Sequence, residues 1–136
     1  MTGSRFRHTH RRPFARALLL ASGLWALACN HPVQRTLEGR WMGESVENFD
    51  DEVAAAANGW ARGTSLEFAG NELTVAIPAE EPRTAHYKVV SVHQKNVRLG
   101  VAKNDGKQED LRIVLDDERS LRWMLDDNRS VVMRRQ

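Results

Sequence analysis

Val97-Arg-Leu-Gly-Val-Ala-Lys-Asn-Asp-Gly-Lys-Gln-Glu-Asp-Leu-Arg-Ile-Val-Leu115 is the stretch whose reading decides the fold. Val97, Leu99 and Val101 recur at every second position, and so do Leu111, Ile113 and Leu115. Period-two alternation puts each trio on one face of an extended strand. Between them lies Asn104-Asp105-Gly106-Lys107, a run of residues that tolerate left-handed backbone and bond to their own main chain, which makes it a strong hairpin turn. Two strands joined so tightly are antiparallel neighbours.

The same grammar extends in both directions. Upstream, Thr64–Phe68 with Leu66 and Phe68 inward turns at Gly70-Asn71 into Glu72–Ile77, with Leu73, Val75 and Ile77 inward. A longer loop, Pro78–Pro82, leads to a strand over Thr84–Val92, and Gln94-Lys95-Asn96 turns it back. Downstream, Asp116–Arg119 turns into Ser120–Leu125 with Leu121, Trp123 and Leu125 inward. Asp126–Arg129 then turns into Ser130–Arg135, which closes the chain. Turn signals at roughly 8–12-residue spacing define an all-β domain. Counting a strand that begins at Leu37, the chain has about eight. Such a meander has two unpaired edges, and closure removes both. The expected fold is therefore a small antiparallel up-and-down barrel. Its short strands favour an interior filled by side chains.

The first strand reads Leu37-Glu-Gly-Arg-Trp-Met-Gly-Glu-Ser-Val-Glu47. Leu37, Gly39, Trp41 and Gly43 share one face. Glycine permits close backbone approach, and the Trp41 indole is suited to plug one end of a curved sheet. Asn48–Gly59 is the one helical segment expected. Asn48 or Asp50 caps it, Asp50-Asp51-Glu52 sits at the favourable end of the macrodipole, and Asn58-Gly59 ends it. Phe49, Val53, Ala56, Ala57 and Trp60 make its apolar face, laid against one mouth of the sheet.

Ahead of this domain stands a different kind of sequence. Residues 1–16 hold Arg5, Arg7, Arg11, Arg12 and Arg16 and no acid, and the apolar run Ala17–Ala28 follows. A basic start before a short apolar run is the secretory pattern, and the run is too short to span a bilayer as a stable helix. It ends at Cys29, the one cysteine of the chain. Ala26-Leu27-Ala28-Cys29 resembles the bacterial lipobox, with Ala28 and Cys29 matching and the two preceding positions exchanged. The resemblance implies cleavage after Ala28 and lipidation of Cys29. The thiol is the natural nucleophile for thioether formation, and two or three acyl chains suffice for a stable anchor. Arg11-Arg12-Pro13-Phe14-Ala15-Arg16 resembles a twin-arginine export motif without its usual Ser or Thr, so a generic basic leader is the plainer reading. Asn30, after the cysteine, leans towards the outer membrane. The expected organisation is a lipoprotein signal peptide over 1–28, a lipidated tether over 29–36 and a barrel domain over 37–136.

Gly39-Arg-Trp41 on a first strand, the meander, and the basic close Val131-Val-Met-Arg134-Arg135 together resemble the lipocalin-like (calycin) families of small bacterial lipoproteins. There a first-strand tryptophan packs beneath a cation from near the last strand. The resemblance gives Gly39, Trp41 and Arg134 or Arg135 a structural role. Arg135 is preferred because it shares a face with Val131 and Met133. The chain is shorter than true lipocalins and lacks their disulfides and C-terminal helix, so a large cavity is not implied.

Composition narrows the function. Without the five leader arginines, 15 basic residues face 18 acidic ones, so a nucleic-acid partner has no electrostatic support. No nucleophile motif or phosphate loop is present, and the carboxylates pair only in turns. His86 and His93, seven apart on one strand, fall on opposite faces of a regular strand, which does not suit a shared metal. No cofactor or metal is expected, and no enzymatic activity. The expected function is that of an envelope lipoprotein that binds a small apolar ligand or a protein partner. Trp60, Phe68, Tyr87 and Trp123 are the candidates to line a ligand site, although each also reads as core. The alternative is an inhibitor or accessory protein with a filled barrel that acts through loops 78–82 and 104–107.

Overall fold

The structure, a computed structural model, describes residues 31–136. Its elements are α1 (Pro32–Leu37), β1 (Gly39–Glu47), α2 (Asp51–Arg62), β2 (Ser65–Ala69), β3 (Glu72–Ala76), β4 (Arg83–His93), β5 (Asn96–Ala102), β6 (Gln108–Leu115), β7 (Ser120–Met124) and β8 (Ser130–Arg135). All eight strands pair antiparallel in chain order, and β8 returns to β1 to close the barrel. The expected eight-stranded meander is thus the observed fold. Closure leaves no open sheet edge.

In the hairpin of the opening stretch, Val97 lies opposite Ile113, Leu99 opposite Leu111 and Val101 opposite Glu109. Inward alternation holds around the barrel. Leu66, Leu99, Leu121, Val131 and Met133 are 0% exposed, and Phe68, Leu73, Val97 and Ile113 are 1%. A water-sized sphere therefore touches almost none of their surface, from outside or from within. The barrel is filled by its own side chains along these positions. Leu125 departs from the expectation: β7 ends at Met124, and Leu125 lies at its turn, 38% exposed.

Two bulges reset the alternation. In β1, Gly43 pairs with Met133 but Ser45 with Val132, so Glu44 is the extra residue. In β4, Val89 pairs with Leu99 but Ser91 with Arg98, so Val90 is extra. One added residue inverts the facing of everything beyond it. His86 and His93 consequently both lie on the outer, exposed face rather than on opposite faces, roughly 20 Å apart along β4.

The helices differ most from the sequence reading. Residues 32–36, expected as part of a tether, and Leu37, expected to open the first strand, form α1. Pro32 takes the first helical position, where its missing N–H is no loss, and His31 Nδ1 accepts from the Val33 N–H at 3.2 Å. So short a helix is marginal alone, and burial of Leu37 in the core holds it.

α2 starts at Asp51, with Asp50 at its cap making no side-chain bond, and it runs through Asn58-Gly59 to Arg62. Asn58 does not end it because its Oδ1 is engaged by the Val46 N–H of β1 at 2.8 Å. The face turned to the sheet carries Ala54, Ala57, Asn58 and Ala61, while Val53 of the expected face is 49% exposed. Close approach explains the rotation. A Cβ on Gly43 would lie 1.8 Å from the Ala61 carbonyl oxygen, so only small residues fit at this crossing.

Two glycine substitutions separate these effects. Gly43→Ala must push α2 off β1, and urea denaturation is expected to show a loss of about 1–3 kcal/mol. Gly59→Ala meets no atom within 4 Å in the helix interior and is expected to add about 0.5–1 kcal/mol. Equal destabilisation by both would contradict the close-packed crossing.

Candidate functional site

At the α1 end, the barrel is plugged by a cation resting on an indole. Trp41 is fully buried and donates from Nε1 to the Leu37 carbonyl at 2.8 Å. The Arg135 guanidinium carbon lies 4.3 Å from the Trp41 ring centroid. Arg135 also donates to the carbonyls of Thr36, Glu38 and Glu118. Helix α1 leaves carbonyls without helical partners, and a planar fork of five N–H groups suits them better than a lysine would. Gly39 makes the approach possible. Its φ is +116°, and a Cβ there would come within 3.2 Å of Arg135 Nη1. Arg134 faces outward instead and pairs with Glu44 at 2.7 Å. Gly39, Trp41 and Arg135 therefore meet at one point, and Arg134 does not join them.

The four candidate ligand-lining aromatics separate into two pairs. Phe68 and Tyr87 form an edge-to-face contact, with centroids 5.2 Å apart, inside the core. Tyr87 donates its hydroxyl to the Gly70 carbonyl at 3.2 Å. Burial, and next the nearby Glu38 charge, push its pKa up to about 12, against a smaller opposing bond to Gln34. Trp60 of α2 and Trp123 of β7 lie 6.4 Å apart near the opposite end, each partly exposed. Val75, Val89, Val101 and Leu111 are also only partly buried.

Hollows on the outside include two beside the helices. One, of about 340 Å³, sits between the start of α2 (Asn48, Phe49, Asp50, Val53) and the β7–β8 turn (Asp126, Asn128, Arg129). Arg129 caps the Phe49 ring at 5.2 Å. Asp126 accepts from the backbone N–H groups of Arg129 and Asn128 and from the Arg129 side chain, which hold its pKa down at about 2. The other, of about 230 Å³, is lined by Gln34, Arg35, Glu38 and Gly70 beside α1.

Across the outer surface, Arg122 bonds both oxygens of Asp116, and Arg112 reaches Asp127 at 2.7 Å. Arg98 bonds Asp110 and so offsets the like charge of Arg112 directly across the β5–β6 ladder. Among the described residues, no three His, Cys, Asp or Glu side chains converge as a metal-ligand set. Loops 78–82 and 104–107 emerge at the same end of the barrel as the start of α2, opposite α1. Pro78 is braced there, since a Cβ on Gly63 would come within 2.7 Å of it.

Ala28 and Cys29 of the cleavage and lipidation reading, with Asn30 and the arginines of the leader, lie outside the described residues. Comparison with protein-family models, curated proteins and solved structures finds no match to this chain.

Replacing Arg135 by Lys keeps a cation over Trp41 but not the fork of carbonyl bonds, and chemical denaturation is expected to show a loss of about 1–3 kcal/mol. Arg134→Ala removes only an exposed pair, and its expected loss in the same measurement is the smaller of the two. If Arg134 proves the costlier of the two, the plug is misassigned.

Tyr87 is the only tyrosine, so phenolate absorbance reports it without ambiguity. Its titration midpoint is expected near 12 in the folded protein. Because the folded value is raised, its contribution to stability is whole below about pH 10, the unfolded value, and is lost as pH rises towards 12. A folded midpoint at the free-tyrosine value would show that the hydroxyl is solvated.

Proposed function

We propose that this protein is a lipid-anchored lipoprotein of the bacterial cell envelope, related in design to the lipocalin-like lipoproteins, and that it acts as a non-enzymatic accessory or inhibitory domain through its surface loops. The observation that carries this reading is the packing of the core: Leu66, Phe68, Leu73, Leu99, Leu121 and Met133 are at most 1% exposed, which favours a barrel filled by its own side chains at these positions. Function then falls to the outside. Loops 78–82 and 104–107 and the turn at Asp126–Arg129 all emerge at the end opposite α1. The export and anchoring part of the proposal rests on the basic leader, the short apolar run and Ala28-Cys29. Asn30 favours the outer membrane, facing the periplasm.

A second reading is supported by the partly exposed Trp60–Trp123 pair and by Val75, Val101 and Leu111, which are also only partly buried. A small apolar group would bind at that mouth, on the surface of the core rather than inside it.

The test is the intact mass and membrane fractionation of the wild type beside Cys29→Ser. The expected wild-type product is residues 29–136 plus acyl chains in the membrane fraction, with both acyl mass and membrane retention lost in the variant. A wild type without acyl chains, or one still carrying residues 1–28, overturns the anchored reading.

A further inference from the structure

We propose that the α1 end of the barrel is a membrane-apposed face, held flat against lipid headgroups, and that the opposite end is presented away from the bilayer. The inference rests on the lipidation of Cys29 proposed above and adds an orientation to it.

The link between lipid and barrel is too short to permit free tumbling. Pro32 begins α1 three residues after Cys29, so their Cα atoms are at most about 11 Å apart. From Pro32 onward the chain is clamped to the barrel. Val33 and Leu37 pack on the core, and Gln34 Nε2 donates to the Gly70 carbonyl at 2.8 Å. Arg135 bonds the Thr36 and Glu38 carbonyls, and Trp41 bonds the Leu37 carbonyl. A glyceride inserted at Cys29 therefore brings the Gly70-Asn71 turn and its neighbours within reach of the headgroups.

Charge favours the same orientation. At the α1 end, residues 32–38, the turns at 70–71, 94–95 and 116–119, and Arg135 carry four basic and four acidic side chains. At the far end, residues 48–52, 78–82, 103–107 and 125–129 carry eight acidic side chains against three basic. An anionic membrane surface repels the second face and not the first, over about a Debye length. The anchored orientation thus turns the acidic loop surface towards soluble partners.

The experiment uses the full-length protein, matured and acylated in its host and reconstituted into vesicles of phosphatidylethanolamine and phosphatidylglycerol that carry a headgroup-linked nitroxide. Acylation consumes the Cys29 thiol, so a single introduced cysteine takes a fluorophore. Asn71→Cys marks the α1 end and Asn104→Cys the far end, both on exposed turns. Quenching is expected to be several-fold stronger at position 71. Inserting a long Gly/Ser linker after Asn30 is expected to abolish the difference by letting the barrel tumble. Equal quenching at the two positions in the native-length protein, or stronger quenching at 104, overturns the orientation while leaving the anchor intact. Failure to acquire acyl mass and to float with vesicles overturns the anchor itself, and the orientation with it.

Discussion

The guanidinium of Arg135 is the group through which the two ends of the domain hold each other. It lies on the Trp41 ring and donates to carbonyls of Thr36 and Glu38, nearly a hundred residues earlier in the chain. The cation over the indole is worth about 0.5–2 kcal/mol. The bonds to carbonyls matter as much, since they satisfy acceptors that a six-residue helix leaves open. Closure of β8 on β1, placement of α1 and burial of Trp41 therefore depend on one another.

The other end depends on a different constraint, the nearness of two backbones. Gly43 donates its N–H to the Thr64 carbonyl at 2.9 Å and lies almost against the Ala61 carbonyl. This crossing determines which face of α2 turns inward, and small residues win over the larger Val53. The bulge at Glu44 lies in the same part of β1, where Asn58 supplies the acceptor for the Val46 N–H. Bulge, glycine and asparagine together let a helix interrupt the meander between β1 and β2 without leaving a buried donor unpaired.

A small barrel packed this closely along most of its inward positions uses its apolar residues for stability. The outer surface is organised by pairs between neighbouring strands, Arg98–Asp110, Arg122–Asp116 and Arg134–Glu44 among them. Each exposed pair contributes little alone. Their effect is to leave a surface whose unbalanced charge gathers in the loops at one end.

Much of this was legible in the sequence alone, because strand alternation and turn chemistry are local properties. Val97 to Leu115 specified its hairpin without reference to anything else, and all eight strands begin and end within two residues of their expected bounds. The shared face of Val131, Met133 and Arg135 followed from period two. The facing of His93, the inner face of α2 and the existence of α1 did not follow. A bulge inverts every side chain beyond it, yet Glu44 and Val90 carry no local mark that they are the extra residues. A six-residue helix has too few internal bonds to announce itself, apart from Pro32 at its start. The sequence by itself determined the strands, the turns and the order of pairing, since these arise from each residue's own conformational preference and the spacing of apolar groups. Only the tertiary structure decided which face each element presents and which carbonyls Arg135 meets, because these are settled by backbone approach between residues distant in the chain.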